Sequence, residues 1–408
     1  MPELLYLSVL NTLRNARRST ITVMSVAIGT AALCCFDAFI AFTYEGLRET
    51  TIRTQLGHMQ VYAEGYRERH VSDPGAVMIH EPEALMTALE AIEGVSSVTQ
   101  RLTFSGIGAT GQSSVSMSVI GVDPAREMEF ADFEIVVEGR NLLPGDVDKG
   151  IVGSELAKGI DAGTGDWVTV LTTSPGGIIN AVDFEIVGIV RTGSAEYDRV
   201  FAKVPVELAQ RALDTTAVER VVVLLDDTDR LPEIALRIQT VLAALPAAYE
   251  TRDWLELAGF YDAVVSLYSG LFRIFAGIVA VVVMFSVANT MTMAVFERIG
   301  ESGALRAIGA TRGTIMSMFL YEGLTIGLLG GVGGVALSLA ISWGIASAGG
   351  IEMPPPPSMS QGYQAFFPMT PALLAKGFAI SVTAALVSSI YPAWAACRTN
   401  IVEALQKP

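Results

Sequence analysis

Residues 289–322 read NTMTMAVFERIGESGALRAIGATRGTIMSMFLYE, and this stretch decides how the rest of the chain is read. Its middle carries charge at helical spacing: Glu297, Arg298, Glu301 and Arg306 interleave with apolar Ile299, Leu305 and Ile308. That pattern predicts a short amphipathic helix, with Gly309 placed to end it. On either side the polarity vanishes. Residues 270–295 and 315–346 are apolar runs with one ionisable residue each, Arg273 and Glu322. About 20 helical residues, rising ~1.5 Å each, cross the hydrocarbon core of a bilayer. Both runs are long enough, and the later one is long enough that tilt, a kink or a protruding end is expected.

Two more runs of this kind lie further out. Residues 20–44 contain one ionisable residue, Asp37, and residues 372–394 contain one, Lys376. The first follows Arg14, Arg17 and Arg18, as the core of a signal peptide would, but it is too long for one; a retained membrane anchor is expected. Four spans alternate sides. One side receives residues 1–19, 296–314 and 395–408, with Arg14, Arg17, Arg18, Arg298, Arg306, Arg312, Arg398 and Lys407. The other side receives residues 347–371, which have no Lys or Arg. Excess basic charge marks the cytoplasmic side, so both termini are expected inside and residues 45–269 outside the cytoplasm.

The map reconciles two numbers that conflict when taken together. The chain has 408 residues, a net charge of −15 and 51% hydrophobic residues; its mean hydropathy is +0.47 and its pI about 4.7. Residues 45–269 hold 17 Lys and Arg against 35 Asp and Glu, a net of −18, and everything else carries +3. A nucleic-acid partner is excluded by this acidity. Collagen-like and disulfide-scaffold classes fail on composition, with three cysteines in all. None of the three lies in residues 45–269, so that domain must stand on its own core.

Within it, 45–57 continues as a polar helix, GHMQVYAEGY (57–66) reads as strand and turn, and 82–92 has helical apolar spacing. Residues 95–98 and 114–121 read as strands, so the first part is β-α-β-β. Residues 139–203 hold short β-rich runs at 167–172, 183–190 and 199–204, with a helix candidate at 154–160. They are expected to form a separate small subdomain. Residues 218–225, 231–245 and 250–254 return to β-α-β. The predicted fold class is an α+β membrane protein. Four transmembrane helices carry a large extracytoplasmic domain, α/β plus β-rich, inserted between the first and second.

The motif around 297–322 resembles that of FtsX/MacB-type ABC-transporter permeases, a group that includes the lipoprotein-releasing LolC and LolE subunits. The family pattern E-R-x-x-E-[IS]-G-x-L-R-A-I-G-A is met by Glu297, Arg298, Glu301, Gly303, Leu305, Arg306, Ala307, Ile308, Gly309 and Ala310, followed by Glu322 in an apolar helix. LNTLRNARRSTITVMSVAIG (10–29) and YPAWAACRTNIVEAL (391–405) resemble the family's two ends, with Asn400 where many members have Pro. VGSELAKGIDAGTGDWVTV (152–170) resembles the start of the β-rich "sabre" subdomain. Residues 45–138 and 204–253 would then be the "porter" subdomain, and 1–19 an amphipathic cytoplasmic helix.

The resemblance implies that 296–314 is a coupling helix seated in a groove of an ATPase. Glu297, Arg298, Glu301, Leu305, Arg306 and Ile308 would carry the contact. ATP and Mg would be bound by that partner, because no G-x-x-x-x-G-K-[ST] occurs in this chain. It also implies a second permease subunit, the same or paralogous, and mechanotransmission to the outer domain instead of alternating access. The work would be lipoprotein or lipid extraction with a periplasmic chaperone. Alternatives are MacB-like efflux with a membrane-fusion protein, or FtsX-like regulation of a cell-wall hydrolase. Without the resemblance, the amphipathic stretch is an interfacial helix whose Arg residues meet anionic lipid.

Other candidates stand beside blander readings. Gly323, Gly327 and Gly331, with Gly330 and Gly334, give small-residue faces that serve either a dimer interface or packing within the subunit. Asp37 and Glu322 are intramembrane ionisable residues and hence functional candidates. The alternatives are outer headgroups for Asp37 and a pair within the bundle or with the linker for Glu322. Pro354–Pro357 predict a stiff extended connector. His58, His70 and His80 lack metal-ligand spacing and are expected at the surface, and no metal or catalytic motif is found.

Overall fold

Long apolar runs become long helices. In the computed structural model, which describes residues 16–111, 113–127, 134–192, 195–353 and 363–398, four helices are long and apolar enough to cross a membrane. They are α1 (Ala16–Thr51), α6 (Gly259–Glu297), α8 (Arg312–Ser347) and α9 (Pro371–Arg398). At ~1.5 Å per residue the 36-residue α8 is ~54 Å long, more than a bilayer core requires, and it is continuous. Residues 1–15, the proline run 354–357 and the tail 399–408 lie outside the described residues.

The chain divides into two compact units. Met1–Glu45, Val264–Glu352 and Gln364–Pro408 form a helical unit; Gly46–Ala263 with Met353–Tyr363 form a sheet unit. Both α1 and α6 have residues in each.

The helical unit is built on glycine contacts. A Cβ on Gly323 would lie 1.9 Å from Ser389 Oγ, one on Gly327 3.0 Å from Ala385 Cβ, and one on Gly331 2.7 Å from Phe378 Cδ2. All three glycines therefore face α9. Gly330 and Gly334 face α1 instead, where a Cβ would meet Val26 Cβ at 2.5 Å and Thr30 Cβ at 2.3 Å. These small residues let backbones approach within the subunit, as helix packing in lipid favours. Hydroxyls join α1 to two further helices: Thr22 to Thr290 of α6 at 2.5 Å, and Thr30 to Ser381 of α9 at 2.8 Å.

In the sheet unit the elements are β1 (Met59–Ala63), α2 (Pro82–Glu90), β2 (Val95–Thr110), β3 (Ser113–Val122), β4 (Ile135–Gly139), β5 (Lys149–Gly153), α3 (Ser154–Gly159), β6 (Trp167–Thr173), β7 (Ile179–Arg191), β8 (Phe201–Pro205), α4 (Val206–Leu213), β9 (Arg220–Leu225), α5 (Leu231–Ala243) and β10 (Tyr249–Asp253). Helices α2, α4 and α5 bury Leu85, Leu89, Leu208, Ile234 and Ile238 against one face of the strands.

Here the structure differs from the sequence reading. The strands of 139–203 do not stand apart: with β2 and β3 they close a ring, β2-β3-β8-β5-β7-β6 and back to β2. All ten strands share one sheet, in the order β10-β1-β9-β2-β3-β8-β5-β7-β4, with β6 pairing both β2 and β7. The cause is β2, which at 16 residues is long enough to pair β9 along its first part and β6 along its second. Its full length is hidden in the sequence because Gly106 and Gly108 interrupt the apolar alternation. At Gly106 a side chain is excluded: a Cβ would lie 2.7 Å from the Leu171 carbonyl oxygen.

Candidate functional site

The linker between α6 and α8 is a helix with a break at each end. Arg298 leaves helical geometry at φ −117° and ψ 18°, α7 runs Ile299–Ala307, and Gly309 takes φ 108°. Thr311 then caps α8 by accepting from the Thr314 N–H at 3.2 Å. Ser302 and Gly303 form the buried side of α7, packing it inward.

The six residues assigned to the coupling surface do not share one environment. Ile308 is 84% exposed and Leu305 37%; Glu297 and Glu301 are exposed, and Arg306 is half-buried. Arg298 points the other way. It is 3% exposed and pairs through Nη1 with Glu322 Oε2 of α8 at 3.3 Å, with Glu322 itself 5% exposed. Nearby, Ile299 and Ala310 pack on the buried cluster that includes Ile315, Phe319 and Ala393. Asp37, the other intramembrane acid, accepts from Lys376 Nζ of α9 at 2.8 Å, and that ammonium lies 4.1 Å from the centre of the Phe272 ring.

A second built site lies at the entry of α1 into the sheet unit. Residues Ile52–Leu56 form a single π-helical turn ended by Gly57 at φ 68°, where a Cβ would lie 2.2 Å from Val222 Cγ1. His58 follows and is fully buried, which corrects the expectation of a surface histidine. Its Nδ1 accepts the Leu225 N–H at 3.0 Å, so its proton sits on Nε2 and is donated to Thr228 Oγ1 at 2.8 Å. Thr228 in turn donates to Glu49 Oε1 at 2.7 Å, and Arg53 donates to Glu49 Oε2 at 3.0 Å. Burial holds the His58 imidazole at a pKa of about 4, well below its ordinary value. It serves as a neutral two-ended anchor.

Buried charge backs this joint. Arg101 of β2 donates to the Gln55 carbonyl of the π turn and, at 2.6 Å, to Glu127 Oε1. Lys203 of β8 lies 3.5 Å from Glu127 and pairs with Glu134. Neither His58 nor Arg101 is marked by a motif. The available signal is Arg101 at the apolar edge of a strand run, which asks for a partner. No group of three or more His, Cys, Asp or Glu residues able to hold a metal occurs among the described residues.

Comparison with known proteins bears on both units. Residues 19–241 match the MacB-like periplasmic core domain family, and residues 273–401 match the FtsX-like permease C-terminal family. The chain is 25% identical over 344 residues to the lipoprotein-releasing system transmembrane protein LolC of Neisseria meningitidis serogroup B, covering 81% of this chain and 79% of that one. It is 25% identical over 414 residues to the macrolide export ATP-binding/permease protein MacB of Hyphomonas neptunium, covering 96% of this chain and 58% of that one. The crystal structure of the periplasmic region of MacB from Actinobacillus actinomycetemcomitans aligns with a TM-score of 0.37 at 16% identity, over 52% of this chain and 95% of that one.

Proposed function

The chain belongs to the FtsX/MacB family of ABC-transporter permeases, and we propose that it carries the work of a separate cytoplasmic ATPase to an extracytoplasmic domain. The observation that carries this reading is the outward face of α7. Ile308, the residue that caps α7, is 84% exposed one turn beyond Leu305, with charged Glu301 a further turn back; this is apolar surface that gains by entering a partner's groove. In this reading α7 is the coupling helix. Glu297, Glu301, Leu305, Arg306 and Ile308 meet the ATPase, which binds ATP and Mg. The chain itself does no ATP chemistry.

Movement of α7 would reach the helices on either side of it. Since α1 and α6 both continue from the helical unit into the sheet unit, their displacement would do work on the sheet. No substrate pore is needed. Basic residues at the linker and at Arg398 support an inner-membrane protein with both termini in the cytoplasm. Ile274, Ile278, Val282 and Phe285 of α6 are each more than half exposed, a surface for lipid and for a second permease subunit, the same or paralogous.

For cargo, the match to LolC along four fifths of both chains supports extraction of lipoprotein or lipid, handed to a periplasmic chaperone. The match to MacB along 96% of this chain favours a second reading, efflux with a membrane-fusion protein. The test of the coupling reading is Ile308→Glu in the full chain, co-expressed with its ATPase partner. Buried against a groove, the new carboxylate is expected to lower the co-purified ATPase at least tenfold at unchanged permease yield. Retention at the wild-type ratio overturns the role given to α7.

A further inference from the structure

Force applied to α7 meets two weak points. The chain leaves helical geometry at Arg298 on one side, and at Ile308 and Gly309 on the other. A short helix hung between two such joints would swivel on them, and its displacement would be lost as bending. Something must cross the joint. The Arg298–Glu322 pair does so from the break itself, reaching a residue ~15 Å into α8 at ~1.5 Å per residue.

Its surroundings suit that task. Next to Glu322, Gly323 lies against Ser389, and further along Gly327 and Gly331 lie against Ala385 and Phe378 of α9. Gly330 and Gly334 lie against α1. The helix that Arg298 grips is thus keyed into two others by contacts with no room to slide. Apolar packing of Ile299 and Ala310 on the same cluster resists separation, but it tolerates rotation. A buried ion pair does not, because turning away strands a charge in an apolar interior.

We propose that the Arg298–Glu322 ion pair is the positioning contact that makes α7 move as one body with α8. Arg298 then acts through Glu322 and not as part of the surface offered to a partner. This rests on α7 being the element that is pushed; the rigid link itself exists without any partner.

The test uses the full chain in lipid nanodiscs, with Cys34, Cys35 and Cys397 replaced by alanine and spin labels at A304C in α7 and L329C in α8. Both label sites are exposed. The unaltered pair is expected to give one narrow distance distribution, the same in permease alone and in the ATPase complex with and without trapped nucleotide. Glu322→Gln is expected to at least double its width, and the reversed pair R298E/E322R to narrow it again. A distribution as narrow in E322Q as in the unaltered chain overturns the proposal. Failure of the unlabelled chain to hold the ATPase, with the widths behaving as expected, would overturn the coupling reading and leave the rigid link standing. If E322Q fails to insert, the reversed pair decides: a broad distribution there overturns the proposal as well.

Discussion

Adding one methyl group at Gly323 should loosen the contact between α8 and α9 by a measurable amount. In Gly323→Ala the new Cβ falls 1.9 Å from Ser389 Oγ and 2.7 Å from Ser389 Cβ, where carbon atoms normally rest at about 3.5–4.0 Å. Rotating Ser389 clears the first clash but gives up its 2.8 Å bond to the Ala385 carbonyl, worth about 1 kcal/mol. The second clash remains, so the helices must part, at an overpacking cost of about 1–3 kcal/mol. Better helix propensity of Ala offsets about 1 kcal/mol, leaving a net loss of about 1–3 kcal/mol. Gly344→Ala is the control, since a Cβ there meets nothing within 4 Å and only the propensity gain applies. The two alanine variants of the full chain should therefore differ by about 2–4 kcal/mol, read from SDS-induced unfolding in mixed micelles by the fluorescence of Trp343 and Trp394. G323A/S389G removes both clashing atoms and should recover at least half of the loss. Equal stability of G323A and G344A would refute the claim that these glycines hold α8 against α9.

Two further outcomes follow from the joint at residues 52–58. The folded state keeps His58 neutral at a pKa of about 4, against an ordinary 6.5. Its stabilising effect is complete above about pH 6.5 and is lost as pH falls towards 4, by up to about 3 kcal/mol. Thermal melts followed by Trp254, whose backbone N–H bonds the His58 carbonyl at 3.1 Å, should show that slope in the wild type and a flatter one in His58→Asn; equal slopes would rule the anchor out. Gly57→Ala demands a left-handed alanine and pushes a methyl into Val222, so it should cost about 2–4 kcal/mol in the same melts.

Much of this architecture is legible in the sequence, for a physical reason. A membrane span needs an uninterrupted apolar run, and nothing else in the chain imitates one. The helices α2 and α5 are legible too, through Leu85 and Leu89, and Ile234 and Ile238, at helical spacing. What stays hidden depends on partners far along the chain. Helix α4, VELAQRAL, follows β8 without a turn signal and is absent from the sequence reading. The length of β2 shows only once β6, β3 and β9 lie beside it. Arg298 sits among residues of the linker's charged face, and its pairing inward is with Glu322, 24 positions later. His58 carries no periodic signal at all; its burial is decided by Leu225 and Thr228.

The contact of Gly330 and Gly334 with α1 also constrains how the molecule is made. Val26 emerges from the ribosome some 300 residues before Gly330, which at about 5–20 residues per second is roughly 15–60 s. During that wait residues 46–263 of the sheet unit are synthesised, while the first helix stands in lipid with its docking face bare. Thr30 on that face can bide its time, because its hydroxyl is also bonded to its own helix at Val26 O, 2.9 Å away. Assembly of the membrane bundle is therefore a late event, gated by translation, and a pause between the first and third spans would prolong the stage at which α1 is open to a chaperone or to the wrong helix.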